Sequence, residues 1–245
     1  MSATFSYVLP VHNQEAVLES SVQSLCHRLQ QHPGSEIVLV ENGSTDGSLA
    51  LCWSLAADAG DATVRISLAT SDTGLGCALR RGMELAGGDV IVLTAADLPF
   101  GLSDLDAFLA ETPQPSFAIG SKAHPESVTE TALQRRAMSE AFRWARRGVL
   151  GLNVRDSQGT IFVNASLRDR ILPRLECTDF LISTEITCWA VREGATPLEL
   201  PVTYPRSTSS TVSPLRDSAR MFAGMVSLRR RLREGTTVAP ALQKT

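Results

Sequence analysis

Short β-type apolar runs alternate with longer helical patterns through the first half of the chain, and this rhythm restricts the fold most. Candidate strands fall at Phe5–Leu9, Glu36–Val40, Val64–Leu68, Asp89–Leu93 and Ser116–Ile119. They recur roughly every 25–30 residues, which suits repeated βαβ units. Between them, Leu18, Val22, Leu25 and Leu29 repeat at i, i+4, i+7 and i+11, one face of a helix. Leu49, Cys52, Trp53 and Ala56 predict a second helical face, capped by Ser44 or Thr45. Leu75, Leu79, Gly82 and Ala86 predict a third. The expected product is an α/β fold, a mostly parallel sheet with helices on both faces. Ligands of such sheets sit beyond the carboxyl ends of the strands.

After Gly120 the pattern changes. Ala132–Leu150 predicts a helix with Arg135, Arg136, Arg143, Arg146 and Arg147 against Glu140. A short mixed region follows, then a helix around Thr184–Glu193 and a strand at Leu198–Val202. Residues 207–214 are rich in Ser, Thr and Pro and read as a loop. A last helix, about Leu215–Arg233, carries Met221, Met225, Leu228 and Leu232 on one face.

The 245 residues are 43% apolar and 20% charged, which excludes a disordered or collagen-like chain. A net charge of -3 excludes a strongly basic nucleic-acid binder on total charge. No apolar run approaches the roughly 18 residues that span a bilayer. The first basic residue is Arg28, so no basic leader segment is visible. Five scattered cysteines form no C-x-x-C, and four histidines form no H-x-x-x-H. Nothing points to zinc, and a reduced cytoplasmic setting is expected.

Two strand ends carry the chemistry. In Val8-Leu9-Pro10-Val11-His12-Asn13-Gln14-Glu15 the proline closes a strand and polar residues lead into a helix. In Val38-Leu39-Val40-Glu41-Asn42-Gly43-Ser44-Thr45-Asp46-Gly47-Ser48 a carboxylate ends the strand before a Gly-Ser turn. That geometry puts Glu41 and Asn42 at the sheet's carboxyl edge, in reach of a base or ribose. The helix amides beyond face anionic groups. Capping alone would also use Ser44, Thr45 and Asp46.

These stretches resemble the nucleotide-binding start of family 2 glycosyltransferases. Further matches follow in order. Gly74-Leu75-Gly76-Cys77-Ala78-Leu79-Arg80-Arg81-Gly82 is similar to the family's G-x-G-x-A-L-R-x-G. Ala86-Gly87-Gly88-Asp89 is similar to A-x-G-D, and Gly120-Ser121-Lys122 to G-S-(R/K). Asp156-Ser157-Gln158-Gly159-Thr160 resembles the D-(T/S)-Q of the polyprenyl-phosphate sugar synthase branch. Thr184-Glu185 and Leu200-Pro201-Val202 resemble that branch's late elements. The Gly74–Gly82 stretch is not a dinucleotide fingerprint, since it lacks the third glycine and no strand feeds it into a first βα turn.

The resemblance implies a GT-A fold: a Rossmann-like α/β/α sandwich with a mostly parallel central sheet and a C-terminal helix. It implies a domain over 1–206, with a nucleotide-sugar half over about 1–120 and an acceptor half over about 121–206. Residues 207–245 are then a loop, a basic amphipathic helix and a flexible tail. The implied activity is inverting transfer from a nucleotide-diphosphate sugar. Pro10, His12, Asn13, Glu15, Glu41, Asn42, Gly43, Ser44, Gly74, Gly76, Arg80 and Asp97 are the implied donor-binding residues. Asp97, Asp156, Gln158 and Glu185 are the implied catalytic residues, and Lys122 and Arg206 the acceptor-phosphate contacts. A divalent cation, Mg²⁺ or Mn²⁺, is implied at Asp97.

Three positions depart from the family pattern. The first aspartate of D-x-D is Ala95. Ile161 and Phe162 stand where a basic residue is common nearby, and Gln14 replaces the usual glutamate, with Glu15 next to it. Magnesium often uses only one or two carboxylates, so Asp97 alone could still serve. Ala95 also leaves open a non-catalytic nucleotide-sugar-binding protein. A nucleotidyltransferase on a related sheet would need a glycine-rich, lysine-bearing loop after the first strand, and none is present.

The acceptor divides the remaining readings. A hydroxyl acceptor needs a general base, for which Asp156, Asp97 and Glu185 are candidates. Each also suits a buried structural carboxylate. A phosphate acceptor, largely dianionic at neutral pH, needs positive groups instead. Residues 206–233 hold seven arginines and one acid, a net +6 that leaves −9 elsewhere. A basic amphipathic helix there suits an anionic bilayer surface, or a packed helix with a solvated basic face. The expected acceptor is therefore a polyprenyl phosphate or another membrane-proximal group, with a soluble small molecule as the alternative. The expected location is cytoplasmic, peripheral on the membrane face.

Overall fold

The computed structural model describes residues 3–58, 63–129, 133–204 and 214–234, without the side chains of 133–139, 141 and 214–221. The chain divides into two compact units. The first comprises residues 1–130 and 155–206, and the second residues 131–154 and 207–245. The first unit ends at residue 206, the expected domain boundary, while residues 131–154, expected in the acceptor half, fall in the second unit.

The first unit is built on seven strands: β1 (Phe5–Val11), β2 (Glu36–Glu41), β3 (Arg65–Thr70), β4 (Val90–Leu93), β5 (Phe117–Gly120), β7 (Ile161–Asn164) and β8 (Leu198–Leu200). Their order is β3-β2-β1-β4-β7-β5-β8. All pairs are parallel except those of β7, which runs antiparallel to β4 and β5. A separate ribbon pairs β6 (Val128–Thr129) with β9 (Thr203–Tyr204).

The helices of this unit are α1 (Leu18–Leu29), α2 (Ser48–Asp58), α3 (Leu75–Leu85), α4 (Ser103–Ala110), α6 (Ala165–Ile171) and α7 (Ile182–Arg192). Strand β1 shows how they layer, because successive side chains point to opposite faces. Phe5 meets Phe108 of α4 and His32 after α1, at ring distances of 6.2 and 4.9 Å. Val8, on the other face, meets Gly82 of α3. The first face holds the main core, including Leu18, Val22, Leu25, Leu29, Ile37, Leu39 and Phe162. Truncating one such fully buried leucine to alanine costs about 2–5 kcal/mol.

Four expectations change here. Pro10 does not close β1; the strand continues to Val11. Its neighbours Val8 and Val11 hydrogen-bond toward β4 and β2 respectively, so Pro10 faces the β4 side beyond Leu93, where β4 has ended. No ladder bond is lost there. On α2, Leu49 and Trp53 are exposed, and Cys52 and Ser48 are buried, with Leu51 and Leu55 packed on the core. That helix is apolar nearly all round, so periodicity could not select its face. Its start is held by Asp46, whose carboxylate accepts the Ser48 amide, rather than by Ser44 or Thr45. The region after residue 150 contains β7 and α6, and Ile161 and Phe162 are core residues of β7.

In the second unit α5 (Leu133–Leu150) packs on α8 (Pro214–Glu234). Met225, Leu228 and Leu232 form the buried stripe of α8, as expected; the side chain of Met221 lies outside the described residues. Arg146 is buried and donates to the Val154 carbonyl. Phe222, Val226, Arg229, Arg230 and Arg233 of α8 are exposed.

Candidate functional site

Because β1, β2, β3, β4, β5 and β8 run the same way, the loops after them leave one edge of the sheet. The reversed β7 enters from that edge. Its lead-in, residues 155–160, therefore joins the loops after β1, β2, β4 and β5. His12, Asn13, Glu15, Asn42, Gly43, Ser44, Asp97, Lys122, Asp156 and Gln158 sit on these loops, Pro10 and Glu41 at the ends of β1 and β2, and Gly74, Gly76, Arg80 and Glu185 on or beside α3 and α7.

The turns after β1 and β2 are knitted together. Asn13, with φ 55°, accepts the Thr45 amide at its Oδ1, and its own amide donates to Ser44 Oγ. Glu15 Oε2 accepts the Gly47 amide at 2.9 Å. Asp46 accepts the Glu15 amide, and its carboxyl sits below the usual range because the Ser48 hydroxyl and nearby amides hold the charge. Glu41 is buried at the last position of β2, and its Oε1 accepts the Gly43 and Ser44 amides. Asn42 is 4% exposed, and its Oδ1 has no hydrogen-bond partner among the described residues. Such an acceptor costs about 1–3 kcal/mol when left unmade. His12 is exposed beside this turn.

The glycine turn at α3 meets a second segment. Gly74 has φ 129°, and a Cβ there would lie 2.4 Å from the Thr178 carbonyl oxygen. At Gly76 a Cβ would lie 2.1 Å from the Cys177 carbonyl oxygen, while the Gly76 amide donates to Thr178. Any side chain would push these backbones apart. Arg80 donates to the Leu175 carbonyl. Glu185 is fully buried, and its Oε2 accepts the Glu176 and Cys177 amides at 3.0 and 2.8 Å. The loop 175–178 is thus held by a carboxylate on one side and by the glycine turn on the other.

After β4, Ala95 and Asp97 are exposed, and Leu98 closes the turn onto the Ala95 carbonyl with φ 43°. The buried hydroxyls of Thr94 and Thr160 lie 3.0 Å apart and tie this loop to the start of β7. Asp156 accepts the Gln158 amide at Oδ1, 2.9 Å, and the Lys122 amide at Oδ2, 3.3 Å. Gln158 Nε2 lies 3.4 Å from Thr184 Oγ1. The Lys122 ammonium sits 5.4 Å from the centre of the Tyr204 ring. Arg206 lies outside the described residues. Among the described residues no group of three or more His, Cys, Asp or Glu side chains is placed to hold a metal ion.

Residues 6–167 match the family described as Glycosyl transferase family 2. The chain belongs to this family. Glycosyltransferase AglD of Haloferax volcanii is 26% identical over 218 residues, covering 86% of this chain and 35% of that protein. The dolichyl-phosphate beta-glucosyltransferase of Saccharomyces cerevisiae is 24% identical over 246 residues, covering 91% of this chain and 73% of that one. The chain thus spans about a third of the archaeal relative's length and about three quarters of the yeast one's. A structure of glucosyl-3-phosphoglycerate synthase from Mycobacterium tuberculosis, in complex with Mn²⁺, UDP and glucosyl-3-phosphoglycerate, gives a TM-score of 0.65 at 18% identity. That match covers 94% of this chain and 80% of the other. Mannosyl-3-phosphoglycerate synthase from Rubrobacter xylanophilus gives 0.62 at 20%, over 98% and 77%. These likenesses bear out the GT-A fold of this family 2 chain.

Two kinds of residue escaped sequence reading in the family 2 frame. Glu199 accepts from Ser121 Oγ and from the Arg155 and Asp156 amides. The backbone of 177–178 forms the wall against Gly74 and Gly76. Neither had a signal beyond a carboxylate alternating with leucines and an unremarked loop.

Proposed function

We propose that this family 2 chain is an inverting glycosyltransferase that moves a sugar from a nucleotide-diphosphate sugar to a polyprenyl phosphate. The observation that carries the donor half is Asn42. A buried acceptor without a described partner at the carboxyl end of β2 is matched by an N–H of a base or an O–H of a ribose. Asn13, Glu15, Gly43 and Ser44 brace the turn around it, with Pro10, His12 and Glu41 beside it. Gly74, Gly76 and Arg80 fix the neighbouring turn.

An acceptor phosphate oxygen attacks the anomeric carbon opposite the diphosphate. The new C–O bond forms as the bond to the nucleoside diphosphate breaks, and the configuration inverts. No base is required, because the second phosphate pKa is about 6. Lys122 and Arg206 supply the holding charge, and Asp156 and Gln158 set the loop beside Lys122. Glu185, fully buried and engaged by two amides, holds a loop and is not proposed as a base. A divalent cation, when bound, offsets charge on the departing diphosphate. The exposed Asp97 carboxylate would hold such a cation, with waters and diphosphate oxygens completing its ligands.

The membrane side rests on charge. The second unit carries twelve basic and three acidic residues, +9, which leaves −12 in the first. Exposed Phe222 and Val226 share a helical face with Arg229, Arg230 and Arg233, a pattern suited to an anionic bilayer surface. No helix among the described residues is long and apolar enough to cross a membrane. The yeast relative is named for a dolichyl-phosphate acceptor.

The deciding assay mixes the protein with a panel of labelled nucleotide-diphosphate sugars, Mg²⁺ or Mn²⁺, and undecaprenyl phosphate in anionic vesicles. The expected result is label extracted into organic solvent with one donor. Transfer only to a soluble alcohol would replace the lipid acceptor. Donor binding without turnover under either metal would favour a non-catalytic sugar-nucleotide binder, the reading that Ala95 motivates.

A further inference from the structure

Glu199 stands on β8, the edge strand of the sheet, paired with Ile119 of β5. Its flanking residues, Leu198 and Leu200, turn toward the core, so its carboxylate faces the opposite way. One oxygen, Oε1, accepts three hydrogen bonds: from Ser121 Oγ at 3.0 Å, from the Arg155 amide at 2.9 Å and from the Asp156 amide at 3.0 Å. Two consecutive amides converging on one oxygen form an anion nest, and a carboxylate fills it better than a neutral acceptor.

The two segments that Glu199 ties together are the ones that carry the acceptor-side candidates. Ser121 is fully buried and precedes Lys122. Asp156 receives Glu199's grip on its amide, and passes it on through its own carboxylate to the amides of Lys122 and Gln158. Residue 199 thus orders a chain of hydrogen bonds that crosses from β8 to the lead-in of β7 and the loop after β5. No described bond of Glu199 reaches the turns of β1, β2 or α3.

We infer that Glu199 is a positioning residue for sugar transfer to the phosphate acceptor, which sets the Asp156 carboxylate and the Lys122 loop on the acceptor side and leaves donor binding alone. The inference rests on the proposed roles of Asp156 and Lys122. It predicts a split between the two substrates that general loss of packing would not produce.

The test is a double-mutant cycle with Glu199→Ala and Asp156→Asn, assayed with farnesyl phosphate as the acceptor probe and the nucleotide sugar that the panel selects. Donor affinity is read separately by thermal shift. Glu199→Ala should lower kcat/KM at least tenfold, mostly through the acceptor KM, with donor affinity within twofold of wild type. Glu199→Gln, which keeps the oxygen and the volume, should recover most of that loss. The double variant should be no worse than Asp156→Asn alone. Multiplying effects, or a donor affinity that falls in parallel, would overturn the inference. So would unchanged kinetics in Glu199→Ala. If Asp156→Asn alone is silent, the assigned role of Asp156 fails first, and the role of Glu199 with it. Should the alanine variant fail to fold, the cycle is run with Glu199→Gln, whose smaller loss must show the same coupling.

Discussion

At the residue scale, the carboxylates and amides of this site divide into those that hold the chain and those left for a ligand. Asn42 is proposed as one of the second kind. Removing a buried acceptor that has no partner relieves a cost, so Asn42→Ala should leave the ligand-free melting temperature unchanged or raised. The same variant should lose most of the stabilisation that the nucleotide sugar confers, which scales with concentration over affinity. Thermal melts with and without donor check both signs. Gly76→Ala should act the other way. Its Cβ would meet a backbone oxygen at 2.1 Å, and overpacking of this kind costs about 1–3 kcal/mol. At about 2–4 °C per kcal/mol for a chain of this size, its melting temperature should fall visibly. What the sequence made legible here was placement. Glu41 could be put at a strand end because apolar residues run up to it. The holding roles of Glu185 and Glu199 were not legible, because their amide partners are met only after folding. Glu199 and Asp156 are neighbours only once β8 lies beside β5.

At the scale of elements, the parallel half of the sheet was readable because its strands are short apolar runs, buried in β1, β2 and β4 and half-exposed in the outer β3, with a helical stretch between each pair. Strand β7 escaped for a physical reason. It is four residues long, antiparallel, and follows a long helix rather than a βα repeat. Its reversal is what brings Asp156–Thr160 to the carboxyl edge, so missing the strand also hid why those residues join the site. Helix α8 was readable because its stripe is sparse: Met225, Leu228 and Leu232 are buried and arginines surround them. Charge reversal at Arg229, Arg230 and Arg233 should leave that stripe, and the helical circular dichroism, intact. Each basic residue near an anionic surface contributes about 1 kcal/mol. The triple Arg→Glu variant should therefore lose at least about a hundredfold in binding to phosphatidylserine vesicles, measured by sedimentation. Equal binding of the variant would remove α8 from the membrane reading.

At the scale of the whole molecule, acid sensitivity follows from carboxylates placed far from the site. Glu36 is buried at the start of β2. Burial raises its pKa, but hydrogen bonds from the Gly87 amide, the Ser6 hydroxyl and Arg65 outweigh that and hold it below 4.5. A carboxyl with a lowered folded pKa stabilises above its unfolded value, and the contribution disappears as pH falls through the folded one. Asp89, held low by the Thr4 amide and hydroxyl, adds the same sign. Buried Asp104 is raised by burial and opposes them, since its ionisation costs stability as pH rises. Glu36→Gln should thus melt well below wild type at pH 7, with the gap closing as pH drops below about 4.5. Melting curves between pH 7 and pH 3 measure it; a constant gap would show that Glu36 acts through shape alone. The division of the chain has a consequence in time. The helix pair of the second unit is drawn from two stretches on either side of residues 155–206. A ribosome releases residues in order, so α5 emerges long before its partner α8 exists. Strand β4 likewise waits with a bare edge until residue 164 has emerged. The nascent chain therefore completes the seven-stranded sheet first, and its arginine-rich helix pair closes only afterwards.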